Sequence, residues 1–177
     1  KKGEIGGCPT DRKGYKDANV QFDHSERQEV TWPIKAGVTT FKADFKADGN
    51  TIAYRNSIFQ IHDGRDPLFM AHYNKHMRMR YLEKRDNKLR WTNMYKYGIE
   101  PGKTYPIKAV IKRQKGKVDL KFYFNGEMFT HLEDLKYRAN NSPYPGAPYI
   151  KIGIYRIIAE GTVTQTYSNT SLSHEEI

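Results

Sequence analysis

Short runs that alternate apolar with polar residues, each closed by a turn, narrow the folds open to this sequence. Phe41, Ala43 and Phe45 alternate with Lys42, Asp44 and Lys46 until Asp48-Gly49-Asn50 closes the run. Val118, Leu120, Phe122 and Phe124 alternate with Asp119, Lys121 and Tyr123 up to Asn125-Gly126, a dipeptide favoured in two-residue hairpin turns. A period of two places the two sets on opposite faces of a β-strand. Further strands are predicted over 26–32, 51–62, 88–95, 104–113, 149–156 and 162–172, with two more inside 68–82 broken near Tyr73-Asn74-Lys75. Turns or loops are read at 63–67, 100–103 and 139–148, and one helical turn at 131–138. The 13 Tyr, 8 Phe and 2 Trp suit pleated surfaces. The pattern predicts an all-β protein, a jelly-roll sandwich of two antiparallel sheets. At 177 residues the chain is read as one domain, 1–177, with an irregular arm at 1–16 rich in glycine.

Composition bounds the partners. Thirty Lys and Arg against 20 Asp and Glu leave a formal charge of +10, which favours a polyanion: nucleic acid, an anionic membrane surface or an acidic polysaccharide. No nucleic-acid motif is recognisable, and no apolar run approaches the ~20 residues of a membrane span. The expectation is therefore neither nucleic acid nor membrane. Cys8 is the single cysteine, so no intrachain disulfide or cysteine-based zinc site can form. The chain starts at Lys1 without Met and reads as a mature or trimmed chain. His72, His76 and Asp66 invite a metal reading, but a spacing of four gathers side chains on a helix, and this segment reads as strands. Arg78, Arg80, Lys84 and Arg85 read as a solvated basic edge, or as an extension of an anion-binding groove.

The informative feature lies on the polar faces. In Tyr149-Ile150-Lys151-Ile152-Gly153-Ile154-Tyr155 the three isoleucines point one way, and Tyr149, Lys151, Gly153 and Tyr155 the other. Gly153 leaves a gap through which something can come close. Gln60 and His62 share a face opposite Phe59 and Ile61. Arg27 and Glu29 share a face opposite Val30 and Trp32, which are expected in the core. Taken singly, each polar residue has an ordinary structural reading: a hydrogen-bonded histidine, a solvated lysine, a same-face Arg27–Glu29 ion pair. Together they suit one reaction. A uronate polymer is cleaved by removing the C5 proton and expelling the C4 oxygen. Arg27 and Gln60 can meet the negative charge that builds on the carboxylate, and His62 and Tyr155 can move protons.

Gln60-Ile61-His62 resembles the Gln-(Ile/Val)-His motif of the alginate lyases of polysaccharide lyase family 7. The 149–155 strand is similar to that family's Tyr-x-Lys-Ala-Gly-x-Tyr strand, and Arg27-Gln28-Glu29-Val30 resembles the opening of its Arg-x-Glu-(Leu/Val)-Arg motif. The three occur in the family's order, over roughly residues 20–172. Thr31, Ile152 and Ile157 depart from the pattern, and glucuronan lyases share the architecture. The resemblance implies a concanavalin-like jelly roll with the site on its concave sheet. It implies a polysaccharide lyase of the carbon–oxygen type, cleaving alginate or glucuronan by metal-independent β-elimination. Arg27, Gln60, His62 and Tyr155 would be catalytic, and Glu29, Tyr149 and Lys151 would bind substrate. His62 would be the base, or would assist Tyr155 if that phenol serves as both base and acid. No cofactor is required, although a structural calcium is left open; the expected state is a secreted or periplasmic monomer acting on an anionic polysaccharide. The alternative is a non-catalytic carbohydrate-binding β-sandwich. A sandwich glycoside hydrolase would need paired carboxylates that the sequence lacks.

Overall fold

The computed structural model describes residues 26–49, 52–74, 76–86, 88–92, 98–160 and 163–177, with the side chains at 26–28, 52–55, 91–92 and 156–160 outside the description. The arm read at 1–16, with Cys8, lies outside the described residues. Eleven strands are described: β1 (Glu26–Pro33), β2 (Gly37–Asp48), β3 (Ile52–His62), β4 (Pro67–Tyr73), β5 (Met79–Arg85), β6 (Lys88–Thr92), β7 (Thr104–Gln114), β8 (Lys117–Phe124), β9 (Glu127–Lys136), β10 (Tyr149–Glu160) and β11 (Thr164–Glu175). They form a six-stranded sheet, β1-β10-β3-β4-β5-β6, and a five-stranded sheet, β11-β2-β7-β8-β9. All pairings are antiparallel. This is the two-layer jelly-roll architecture that the alternation predicts.

The core fills the space between the sheets. Phe41, Ala43 and Phe45 of β2 and Leu120, Phe122 and Phe124 of β8 face Phe59 and Ile61 of β3, Phe69 of β4 and Ile150 and Ile152 of β10. Phe122 lies 5.3 Å from Phe59 and 5.5 Å from Phe69, centroid to centroid, so aromatic contacts tie one sheet to the other. Asn125 (φ 54°) and Gly126 (φ 81°) close the β8–β9 hairpin with the two positive-φ residues its turn requires.

Three expectations are corrected. Residues 131–138 are not helical: β9 runs through Lys136. Leu132 and Leu135 both face the core, and their spacing of three mimics a helix because an extra residue is inserted between them. Leu120 pairs with Leu132 and Val118 with Leu135, with Asp134 at φ 56° in the bulge. Val30 is 56% exposed rather than core, because β1 is the outer strand of its sheet; Trp32, next inward on that face, does pack on the core. The basic run is not wholly solvated. Arg80 is buried, and the Lys84 side chain is 11% exposed because it is held by Asp66 and Asp63.

Candidate active site

The site-bearing strands lie side by side at one end of the six-stranded sheet. β10 is the centre, with β1 on one flank and β3 on the other. Register sets Arg27 opposite Tyr155, Glu29 opposite Gly153 and Thr31 opposite Lys151. On the other side, Lys151 pairs with Gln60 and Tyr149 with His62. Residues paired across strands share a face. Glu29, Lys151, Gln60, Tyr149 and His62 therefore meet on the face of the sheet turned away from the core, whereas Tyr155 shares that face but lies six residues along β10 from Tyr149, about 20 Å from the His62 end at ~3.3 Å per residue.

Two clusters form there. Gln60 Nε2 donates to Glu29 Oε1 at 2.6 Å, and Lys151 Nζ lies 2.9 Å from Glu29 Oε2. Glu29 is thus the hub of a chain that crosses all three strands. Gln60 is 1% and Lys151 8% exposed, so Lys151 is a buried, paired charge and not a solvated one. A buried carboxylate with an ammonium and an amide on its two oxygens is compensated, and each partner is held in one position. The row continues into Met70 of β4 and Leu82 of β5, both buried yet outside the inter-sheet core. They give the polar row an apolar neighbour.

The second cluster is aromatic. His62 Nδ1 accepts the Gly64 N–H at 3.0 Å and lies 3.3 Å from the Tyr149 hydroxyl. The His62 and Tyr149 rings are 5.4 Å apart, and Tyr144 lies 5.9 Å beyond Tyr149. Tyr144 carries no periodic signal in the sequence, because it sits in the proline-rich loop before β10. Its hydroxyl donates to the Thr31 carbonyl at 3.0 Å and lies 2.9 Å from Thr31 Oγ1. Thr31, where the family motif has its second Arg, holds this loop tyrosine against the strand. His62 and Tyr155 are half-buried, whereas Tyr149 is buried. The Arg27 side chain lies outside the described residues; its backbone occupies the position opposite Tyr155.

A feature the sequence did not reveal lies beneath this face. Relative to β3, β10 carries an extra residue between Ile152 and Arg156, and β3 carries one relative to β4 between Ser57 and Phe59. These bulges break the ladder and free backbone groups. Side chains of β11, from the opposite sheet, satisfy them. Tyr167 donates its hydroxyl to the Ile58 carbonyl at 2.5 Å and accepts the Gly153 N–H at 3.4 Å. Gln165 Nε2 donates to the Ser57 carbonyl at 2.9 Å, and its Oε1 accepts the Tyr73 hydroxyl at 3.1 Å. Burial pushes the Tyr167 phenol far above its usual range, so it stays protonated and donating. Gly153 has φ 121°, which answers to the bulge: its glycine is required by the backbone there.

At the mouth of this region, Asp63 follows His62. Burial raises its carboxyl, but the N–H groups of Asp66 and Arg65, the Lys84 ammonium and the Arg138 N–H outweigh that and hold it below the usual carboxylate range. No group of three or more metal-ligating side chains occurs among the described residues. His72 is buried in β4 and His76 exposed in the following turn, so the two histidines weighed as ligands do not share a site.

No protein-family model matches the chain, and no curated protein matches it in sequence. Solved structures do match it in fold. The alginate lyase from Corynebacterium sp. superposes with a TM-score of 0.57 at 14% identity, over 82% of this chain and 62% of that one. Alginate lyase A1-II′, a member of polysaccharide lyase family 7, superposes with a TM-score of 0.61 at 19% identity, over 86% and 73%. The marine family 7 alginate lyase AlyA1 from Zobellia galactanivorans gives 0.56 at 16% identity, over 91% and 74%. A1-II′ has also been solved in complex with a substrate. The chain thus has the fold of the family 7 alginate lyases and spans about three fifths of the Corynebacterium protein's length.

Proposed function

We propose that this protein is a polysaccharide lyase that cleaves a uronic-acid polymer by β-elimination. The observation that carries the reading is the convergence of the three sequence motifs on one sheet face, with Glu29 bonded to both Gln60 and Lys151 and with His62 beside Tyr149. The fold shared with alginate lyases supports it. A pure binding module would have no need to fix an amide with a buried carboxylate–ammonium pair beside an imidazole and a phenol.

In this reading the uronate carboxylate lies over Gln60. Glu29 fixes one N–H of the Gln60 amide, and the second can donate to the carboxylate as charge accumulates during C5 deprotonation. Arg27, on the neighbouring strand, would supply the countercharge. Lys151 holds Glu29 and lines the same row. The chemistry requires no metal, because the side chains provide both the electrostatic and the proton-transfer functions.

The geometry at His62 favours one assignment of the base. Its Nδ1 accepts a backbone N–H from Gly64, so in the neutral ring the proton resides on Nε2. Such an imidazole offers a donor, not a proton acceptor, at Nε2. Tyr155 is then the group that removes the C5 proton, as phenolate, and returns a proton to the C4 oxygen, while His62, paired across the strands with Tyr149, meets the polymer further along the groove. One residue can do both only where H5 and the leaving oxygen lie on the same side of the sugar, as in mannuronate and glucuronate. Guluronate, with the two on opposite sides, should be the poorer substrate.

The test is to incubate the protein with polymannuronate, polyguluronate and glucuronan and to follow the ultraviolet absorbance of the new C4–C5 double bond. Cleavage should be faster on one of the two same-side polymers than on polyguluronate. Tyr155→Phe, which keeps the ring and removes the hydroxyl, should lose about 10²–10⁴-fold in kcat. Absence of the double bond on all three polymers would count against the lyase; a fully active Tyr155→Phe would count against the phenol's role alone.

A further inference from the structure

We propose that the pocket just beyond His62 is a subsite for the carboxylate of a uronate sugar lying away from the cleaved bond, gripped by Arg65 and Arg138. This rests on the polyuronate reading above and extends it to a residue set that none of the three motifs contains.

Two loops build the pocket, and both belong to the strands that carry the candidate site. One follows His62 at the end of β3, and the other precedes Tyr149 at the start of β10. They are locked together at Gly64, which has φ 97° and would place a Cβ only 2.3 Å from the backbone of Asn141. Between them lies a cavity of about 300 Å³ lined by Arg65, Arg138, Asn140 and Asn141, with Asp63, Asp66 and Lys84 at its base.

The acids of the base are already taken. Asp63 Oδ1 accepts the N–H groups of Arg65 and Asp66, each at 3.0 Å. Lys84 Nζ lies 3.0 Å from Asp66 and 4.0 Å from Asp63, so one ammonium serves both carboxylates. That leaves three cationic side chains against two carboxylates in the lining, and the exposed members are the two arginines. Arg65 Nε is 3.9 Å from Asp66, beyond hydrogen-bonding distance, in a side chain 73% exposed. Arg65 therefore can turn to an incoming anion at little cost.

The donor set fits an acidic sugar. A guanidinium presents a carboxylate with paired N–H donors. The amides of Asn140 and Asn141 can serve the ring hydroxyls as donors or acceptors. A neutral sugar would leave both arginines without a partner, so the pocket selects for charge at this position as well as at the cleaved sugar. Because it starts one residue past His62, only a chain extending beyond the reacting sugar reaches it. Its contribution should therefore depend on substrate length.

The experiment compares the parent protein with Arg65→Ala/Arg138→Ala and with Lys42→Ala/Lys108→Ala, a pair on the outer face of the opposite sheet that removes the same charge. Affinity for polymannuronate, polyguluronate and glucuronan is measured by calorimetry, and KM and kcat on the polymers and on an oligomer ladder. The arginine variant should bind polymer about fivefold to tenfold more weakly. Its KM should rise on long substrates alone, with kcat held within about twofold. The lysine variant should change neither. Equal weakening in both double variants, or an arginine variant with parental affinity, would overturn the proposal. Arginine-dependent binding by a parent that cleaves none of the polymers would keep the subsite and remove the lyase reading.

Discussion

Asp63 shows how a single residue couples the site to stability. Its carboxyl is held below the usual range, so the folded state prefers it ionised. The stability this contributes is fully present above the ordinary Asp pKa of about 4 and is lost as pH falls through the lowered folded value. Asp63→Asn cannot titrate. The melting temperature of the parent should therefore fall more steeply than that of the variant as pH is lowered below about 4; parallel curves would deny Asp63 this role. At this scale the sequence was informative about faces. Gln60 and His62 stand opposite Phe59 and Ile61, as the alternation requires, and Tyr149 and Lys151 opposite Ile150 and Ile152. It could not show that Lys151 and Gln60 share Glu29, because those bonds join residues 31 or more positions apart. Nor could it find Tyr144, whose partner Thr31 is 113 residues away.

The strands themselves carry irregularities that alternation hides. β10 reads as a regular strand, yet it bulges against β3 beyond Ile152, and the consequence is written in β11. Tyr167 and Gln165 reach across the sandwich to the backbone of Ser57 and Ile58 in β3 and of Gly153 in β10, two residues before Tyr155. Tyr167→Phe would leave the Ile58 carbonyl without its donor, at a cost of about 1–3 kcal/mol. The variant should unfold at lower denaturant concentration by that amount, and at temperatures where it is fully folded its kcat should fall more than its KM rises. A variant with unchanged stability would show that the bulge does not need this hydroxyl. β9 teaches the same lesson. A bulge at Asp134 made two inward leucines look helical, since a period of three arises from an inserted residue as readily as from a helix turn. At the edge of the sheet, Val30 follows the alternation of β1 but is exposed on the outer strand, and period alone cannot tell an edge position from a covered one.

For the molecule as a whole, the charge of +10 should govern encounter with an acidic polymer. Raising salt from ~0.05 to ~0.5 M shortens the screening length severalfold, so KM on a polyuronate should rise by at least about threefold while kcat holds. A KM that is flat or falls with salt would argue that the substrate is not recognised through charge. The sequence by itself determined the class of fold and which polar residues share a strand face. Period-two patterning is a local property, and side chains two apart must share a face whatever the chain does elsewhere. The tertiary structure decided what those faces meet. It set β10 between β1 and β3, made Glu29 a hub, bound Thr31 to Tyr144, and placed Tyr167 under Gly153. It also enclosed the arginine-lined pocket beyond His62. Each of these depends on strand order and register, which are fixed by the packing of two whole sheets around a common core and leave no mark within any one segment.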